Sequence, residues 1–374
     1  MKKVRVGIIG GGLMGREAAS AFSRWCALMD MPICPELVAV ADLNPQALRW
    51  FERISTVKLL TDRYQDVLAS PEIDVVYVAV PHNVHEQIYL DTLSAGKDLL
   101  AEKPFGIDLD SANNIMDSID RSGCFVRCSS EFPFLPGAQL AYEYVLAGKC
   151  GRILEAASGF HHASDLDANK KANWKRQSAT CGEIGVLGDL GLHVFHLPLR
   201  LGWQPTSIFA QLQHGFAERP DGEGGMTRCD TWDNAVVHAW ANQTAAEPFT
   251  LRFEMKRLAP GATNTWYFEV RGTDGGVRYS TSRPKTLEVF EKSERHWWKT
   301  TDLGFELPFK TITGGIFEVG FPDIIQQMWA AFLLEREDQL DGQFGCATPA
   351  EAVQAQRLYS AALNSQKNNC VVHV

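Results

Sequence analysis

The sequence predicts an α/β domain with a doubly wound parallel sheet, followed by an α+β domain built on a large, mostly antiparallel open sheet. Three observations predict it. Short β-branched runs alternate with helix-length segments through the first third of the chain. At the start an apolar run, Val4 to Gly15 (VRVGIIGGGLMG), breaks into glycine where a strand must turn into a helix. After Val126 the pattern changes to longer alternating segments separated by turn sequences such as Asp274-Gly275-Gly276, which pair antiparallel.

Val4, Val6, Ile8 and Ile9 make a short strand of the kind buried in a parallel sheet. Gly10, Gly12 and Gly15 then fall at G-x-G-x-x-G spacing, and Arg16 to Ala27 reads as an amphipathic helix. This is the fingerprint of a dinucleotide-binding Rossmann domain. The first glycine permits the tight turn, the second has no side chain to hold a pyrophosphate off the backbone, and the third lets helix and strand pack closely. The helix's exposed N–H groups and positive dipole end would hold the phosphates. The next strand, Leu37 to Ala41, ends in Asp42, where a carboxylate accepts from the ribose hydroxyls. Leu43 and Asn44 follow, with no arginine to receive a 2′-phosphate, so NAD is favoured over NADP.

Asn44 caps a helix from Pro45 to Ile54, and Asp74 to Val80 is another buried strand, followed by Pro81 and a helix through Leu93. Leu99 to Ala101 leads into Glu102-Lys103-Pro104, and Asp110 to Arg121 is helical. Residues 1–126 form the NAD-binding domain. Residues 127–374 form a substrate-binding and oligomerisation domain. It opens with a helix from Pro136 to Ala147, then strands Arg152–His161, Ser207–His214, Asn234–Trp240, Phe249–Lys256, Trp266–Arg271, Gly276–Ser280 and Leu287–Glu291. Ala217 to Cys229 reads as a mobile excursion. Asp323 to Glu337 is a helix, and Thr348 with Glu351 makes a capping box for a last helix to about Ser365, one able to pack back on the first domain. Val371 to Val374 can add an edge strand.

A net charge of -9 argues against nucleic acid or an anionic membrane as the main partner. No run approaches the ~18 apolar residues of a membrane helix, and Arg5 interrupts the signal-like start at Lys2 and Lys3. Nine scattered cysteines with no C-x-x-C pair suggest reduced thiols and a cytoplasmic setting.

Three stretches carry chemistry. Val80-Pro81-His82-Asn83-Val84-His85 follows a strand at the crevice expected in such a sheet. Glu102-Lys103-Pro104 places an ammonium at the end of the next strand. In Gly188-Asp189-Leu190-Gly191-Leu192-His193 the carboxylate and imidazole are four residues apart, so on a helix they share a face. Asp189 with His193 and His196 also invites a metal site, but further ligands are missing and no metal is expected.

G-x-G-x-x-G, Asp42, V-x-V-x-P-x-x-x-H, E-K-P and D-x-G-x-H, in this order, resemble the glucose-fructose oxidoreductase, inositol dehydrogenase and MocA family over nearly the whole chain. The resemblance implies an open antiparallel sheet in the second domain, NAD(P) as cofactor, and Lys103, Asp189 and His193 as catalytic residues. It extends the cofactor set from Gly10, Gly12, Gly15 and Asp42 to Leu13, Met14, Val80, Pro81, His85, Glu102 and Lys103. In the roles that follow, His193 takes the hydroxyl proton, Lys103 stabilises the alkoxide, and Asp189 orients the imidazole or balances the lysine. Within the family lysine is sometimes given the proton-transfer role.

The chain departs from the family pattern at His82, Glu131, Lys175 and His196, which bears on the substrate rather than the reaction. Glu131, His161 and Trp174 join Lys103, Asp189 and His193 as substrate-binding candidates. His162 and Asp165 beside His161 are either sugar-reading groups or idle loop polars. The expected activity is NAD-dependent oxidation of a secondary ring alcohol of a sugar, sugar derivative or cyclitol. Two alternatives stand beside it: glycoside cleavage through transient oxidation and elimination, and a non-catalytic sugar and nucleotide sensor. A homodimer or homotetramer is expected from the open sheet.

Overall fold

Six β-branched or apolar runs line up as one parallel sheet: β1 (Lys2–Ile9), β2 (Ile33–Ala41), β3 (Leu59–Thr61), β4 (Val75–Val78), β5 (Asp98–Ala101) and β6 (Val126–Cys128). Their order, β3-β2-β1-β4-β5-β6, is that of a doubly wound dinucleotide-binding sheet, with its switch point between β1 and β4. The helices between them are α1 (Leu13–Ser23), α2 (Pro45–Arg49), α3 (Tyr64–Ala69), α4 (His85–Ser94) and α5 (Leu109–Ser122). The Asn44 side chain caps α2 by accepting from Gln46 N at 3.0 Å. In this computed structural model the described residues are 1–243, 248–293 and 296–374.

Nine strands form the second sheet, in the order β16-β15-β14-β13-β7-β12-β11-β8-β17. They are β7 (Ile153–His161), β8 (Trp203–Gln213), β11 (Asn234–Gln243), β12 (Phe249–Lys256), β13 (Thr265–Gly272), β14 (Gly275–Ser280), β15 (Thr286–Glu291), β16 (Trp298–Asp302) and β17 (Val372–His373). All neighbours are antiparallel except β7 and β12. The helices of the second half are α6 (Pro136–Leu146), α7 (Ser178–Cys181), α8 (Val186–Arg200), α9 (Phe321–Arg336) and α10 (Pro349–Asn368). One face of this sheet packs on α8, where the Phe195 and Phe253 rings meet edge to face at 4.2 Å and Ser158 Oγ donates to the Val194 carbonyl at 2.8 Å. The opposite face, called outer below, carries Glu155, Arg252, Glu269 and Arg271.

The chain divides into two compact units. The first holds residues 1–106, 110–134 and 305–353, and the second holds 107–109, 135–304 and 354–374. This is more interleaved than one boundary at 126/127. Residues 305–353 join the first unit because α9 is apolar on nearly every side. Trp329, fully buried, packs edge-on to Phe22 of α1 at 4.7 Å and to Tyr77 of β4 at 5.4 Å. The last helix, α10, opens on the expected box, with Glu351 Oε2 accepting from Thr348 N at 2.7 Å, and contributes to both units.

The expected mobile excursion at 217–229 is instead a short antiparallel ribbon of β9 (Glu218–Pro220) and β10 (Met226–Arg228). Asp221 Oδ1 closes its turn by accepting from Glu223 N and Gly225 N, and buried Arg219 donates to the carbonyls of Asp165 and Asp167. Among the described residues no helix is long and apolar enough to cross a membrane.

Candidate active site

In the first unit the glycine turn stands over the ends of β1 and β4. Gly10 has φ +105° and a Cβ there would overlap the Ala79 carbonyl, while a Cβ at Gly15 would overlap the Gly10 carbonyl. At Gly12 a Cβ would meet nothing within 4 Å, so open space faces the first turn of α1. A pyrophosphate fits that space, at the positive end of an eleven-residue helix. Leu13 and Met14 form that first turn, Leu13 being exposed. Val80 and Pro81 leave β4 beside it, half-buried. Asp42 accepts from Gly11 N at 2.6 Å and from Asn44 N at 2.7 Å, so the carboxylate expected at a ribose also ties the glycine turn to the end of β2.

Two residues expected to touch the cofactor face inward instead. His85 is fully buried, with Nδ1 2.9 Å from the Pro104 carbonyl oxygen and Nε2 3.0 Å from that of Val80. Burial pushes its imidazole down to about 4, so the ring is neutral. Glu102, also buried, accepts from Tyr77 Oη and Ser129 Oγ, both at 2.6 Å, and from Lys103 N at 3.2 Å. Both side chains are thus committed to shaping the sheet edge where half-buried Lys103 leaves β5. Glu131 is buried nearby, and burial, with the charge of Glu102 adding and that of Lys103 opposing, pushes its carboxyl up to about 7.

In the second unit Asp189 and His193 share the buried face of α8, one turn apart. Asp189 accepts from Lys175 Nζ at 2.8 Å and from Arg257 Nε at 3.1 Å, forming ion pairs with both. Neither cation came from the motif reading, because Arg257 follows β12 more than sixty residues away and Lys175 stood out only as a departure from the family pattern. The His193 ring meets Phe160 edge-on at 5.7 Å, and its backbone carbonyl accepts from Trp266 Nε1 at 2.8 Å. Trp174 lies half-buried in the turn that carries Lys175, whose ammonium sits 5.6 Å from its ring. Behind them Arg176 is buried between Asp165 and Asp233, with Arg176 Nη1 2.9 Å from Asp233. His196, the last of the four departures from the family pattern, has Nε2 3.2 Å from Arg200 Nη2 along the same helix.

His161 is not part of this group. Strand alternation puts Ser158 and Phe160 on the α8 side, so His161 points to the outer face and pairs with Glu254 at 2.9 Å. That pairing, with Lys256 assisting, pulls the Glu254 carboxyl down to about 2. His162 takes the inner position. Its ring is pushed down to about 4 by burial, with Arg257 and Lys175 adding and Asp189 and Asp165 opposing. A hollow of about 430 Å³ in this unit also lies on the outer face, lined by Arg252, Arg271 and Trp240, away from Asp189.

The first unit therefore assembles the glycine turn, Asp42 and Lys103, and the second assembles Asp189, His193, Trp174 and Lys175. Residues 4–130 match the sequence model described as oxidoreductase family, NAD-binding Rossmann fold, and residues 138–278 match the GFO/IDH/MocA C-terminal domain. Levoglucosan dehydrogenase of Pseudarthrobacter phenanthrenivorans is 26% identical over 326 residues, covering 83% of this chain and 82% of that protein. Glucose-6-phosphate 3-dehydrogenase of Bacillus subtilis is 28% identical over 53% of each chain. Among solved structures, a levoglucosan dehydrogenase in complex with NADH and L-sorbose shares the fold at TM-score 0.89, with 24% identity and 100% and 99% of the two chains covered. An inositol dehydrogenase homologue from Azotobacter vinelandii, complexed with NAD+, shares it at 0.81 with 19% identity, covering 100% of this chain and 98% of that one. With both of its domain models matched in order along most of its length, the chain belongs to the GFO/IDH/MocA family, an oxidoreductase with NAD as its cofactor.

Proposed function

We propose that the chain oxidises a secondary ring alcohol of a sugar, sugar derivative or cyclitol, with Lys103, Asp189 and His193 as the reacting groups. One observation carries this reading: Asp189 and His193 lie one turn apart on the buried face of α8, and two cations hold the carboxylate in place. Oxidising such an alcohol requires a base for the hydroxyl and a two-electron acceptor for the carbon. NAD supplies the acceptor when bound. His193, whose imidazole carries a nitrogen able to accept a proton, takes it from the hydroxyl. Lys103 donates to the same oxygen and stabilises the negative charge that grows there. Asp189, held by Lys175 and Arg257, orients the imidazole or balances the lysine. Trp174 offers an aromatic wall to the apolar face of a ring, and Glu131 and His162 offer polar atoms to its hydroxyls.

Similarity to levoglucosan dehydrogenase across most of the chain supports a sugar-type alcohol over other alcohols. Asp42, followed by the uncharged Leu43 and Asn44, supports NAD over NADP. A cytoplasmic setting and a homodimer or homotetramer belong to the same reading. The nine cysteines are thiols rather than disulfides, and the outer face of the second sheet offers charges of both signs to a second copy. A panel of levoglucosan, hexoses and inositols, followed at 340 nm with NAD and with NADP, tests the proposal. NADH formation on at least one member, lost in Lys103→Met and His193→Asn, is the expected result. Full turnover in Lys103→Met sinks the assignment.

A further inference from the structure

We propose that His85 and Tyr89, one turn apart on α4, are positioning residues that pin the backbone on both sides of Lys103. Tyr89 Oη donates to the Glu102 carbonyl at 2.8 Å, and His85 Nδ1 lies 2.9 Å from the Pro104 carbonyl. Glu102 and Pro104 are the two residues that flank Lys103. Both rings are fully buried and stack on each other at 5.0 Å, with Phe105 packed against Tyr89 at 6.2 Å. The Nε2 atom of the same imidazole lies 3.0 Å from the Val80 carbonyl oxygen, at the exit of β4.

This rests on the reading that Lys103 acts on the substrate hydroxyl. A lysine side chain has four rotatable bonds, and its ammonium is placed to within the ~0.5 Å that a reacting group needs only if its Cα is fixed first. A misplacement of about 1 Å can cost ~100-fold in rate. The Glu102 carboxylate, bound by Tyr77, Ser129 and the Lys103 amide, fixes the same backbone from the sheet side.

A neutral ring carries one N–H, so it donates to one of its two carbonyls. The proposed role requires that N–H on Nδ1, donated to the Pro104 carbonyl, and the two variants below distinguish it from the Nε2 tautomer. Asparagine and glutamine separate the two contacts, because the Asn amide nitrogen superposes on Nδ1 and the Gln amide nitrogen on Nε2.

The test uses the full chain saturated with NAD, with levoglucosan, D-glucose and myo-inositol as substrate probes. His85→Asn should keep kcat within threefold of the parent. His85→Gln and Tyr89→Phe should each lose at least tenfold in kcat, with KM and NADH affinity within twofold. A substrate-free readout runs in parallel: labelling of the Lys103 amine by acetic anhydride, followed by mass spectrometry. Its rate should change threefold or more in His85→Gln and Tyr89→Phe but not in His85→Asn. Tyr89→Phe deletes one oxygen and keeps the ring packing, so it decides the matter where a histidine variant does not fold. Equal behaviour of the Asn and Gln variants, or losses in NADH affinity and melting temperature that track kcat, would overturn the proposal. Lys103→Met separates the two claims. If that variant turns over normally, the role of Lys103 itself is wrong; if it is inactive while His85→Gln and Tyr89→Phe match the parent, only the positioning role falls.

Discussion

Asp42 and Glu131 show how much rests on single carboxylates. Asp42 already holds the glycine turn through Gly11 and caps Asn44, so Asp42→Ala removes both a turn anchor and the proposed ribose acceptor. Hydrogen bonds to a charged group are worth about 1.5–3 kcal/mol. NAD affinity should therefore fall by roughly ten- to a hundredfold, and the ratio of kcat/KM for NAD over NADP should shrink. An unchanged ratio would leave the preference for NAD without a cause at this position. For Glu131 the folded state raises the carboxyl from its ordinary value near 4.5 to about 7, so folding favours the protonated form. That contribution is complete below pH 4.5 and is lost as pH rises through 7. Glu131→Gln should thus be more stable than the parent at pH 8, by about 1–3 kcal/mol, and the advantage should vanish near pH 4.5. Urea unfolding at the two pH values measures this directly.

At the scale of elements, α8 carries a buried carboxylate, Asp189, whose partners come from a neighbouring turn and a distant segment. Its sequence shows the face that carries Asp189 and His193, because a spacing of four is one turn. It does not show Arg257 or Lys175. Their pairing with Asp189 is set by where β12 and the turn at Trp174 end, and no local pattern encodes that. The same limit explains His161: a one-residue choice of register decides which face of β7 a side chain occupies, and two adjacent histidines give no sign of which points inward. The glycine turn and the Thr348 capping box were legible because each is local chemistry completed within a few residues. Arg257 is fully buried, so Arg257→Met leaves the buried Asp189 carboxylate paired with Lys175 alone. Losing a hydrogen bond to a charged group costs about 1.5–3 kcal/mol. The chain should lose that much stability in urea, and kcat should fall while NADH affinity stays within twofold. Loss of NADH binding instead would mean that the damage spreads through the whole chain.

Across the whole molecule, the parallel and antiparallel sheets were readable from strand length and alternation, but the route of the chain between the two units was not. Residues 305–353 return to the first unit because α9 has apolar side chains to bury on nearly all sides, and the sequence alone names no particular surface to receive them. The second sheet shows the converse case: α8 covers one face, and the other presents Trp240, 52% exposed, beside the ion pairs of Arg271 with Glu155 and Glu269. Alternating signs on a broad face can meet their own copy about a twofold axis placed so that an arginine of one copy lies opposite a carboxylate of the other. An exposed tryptophan among such charges is the kind of anchor that becomes buried on association. Light scattering should accordingly give the purified chain a mass of two or four copies. Trp240→Glu, which adds a charge at the anchor and lies on the face opposite Asp189, should move that mass toward one copy while leaving NADH affinity within twofold. A monomeric parent, or a Trp240→Glu variant of undiminished mass, would show that this face does not hold the copies together.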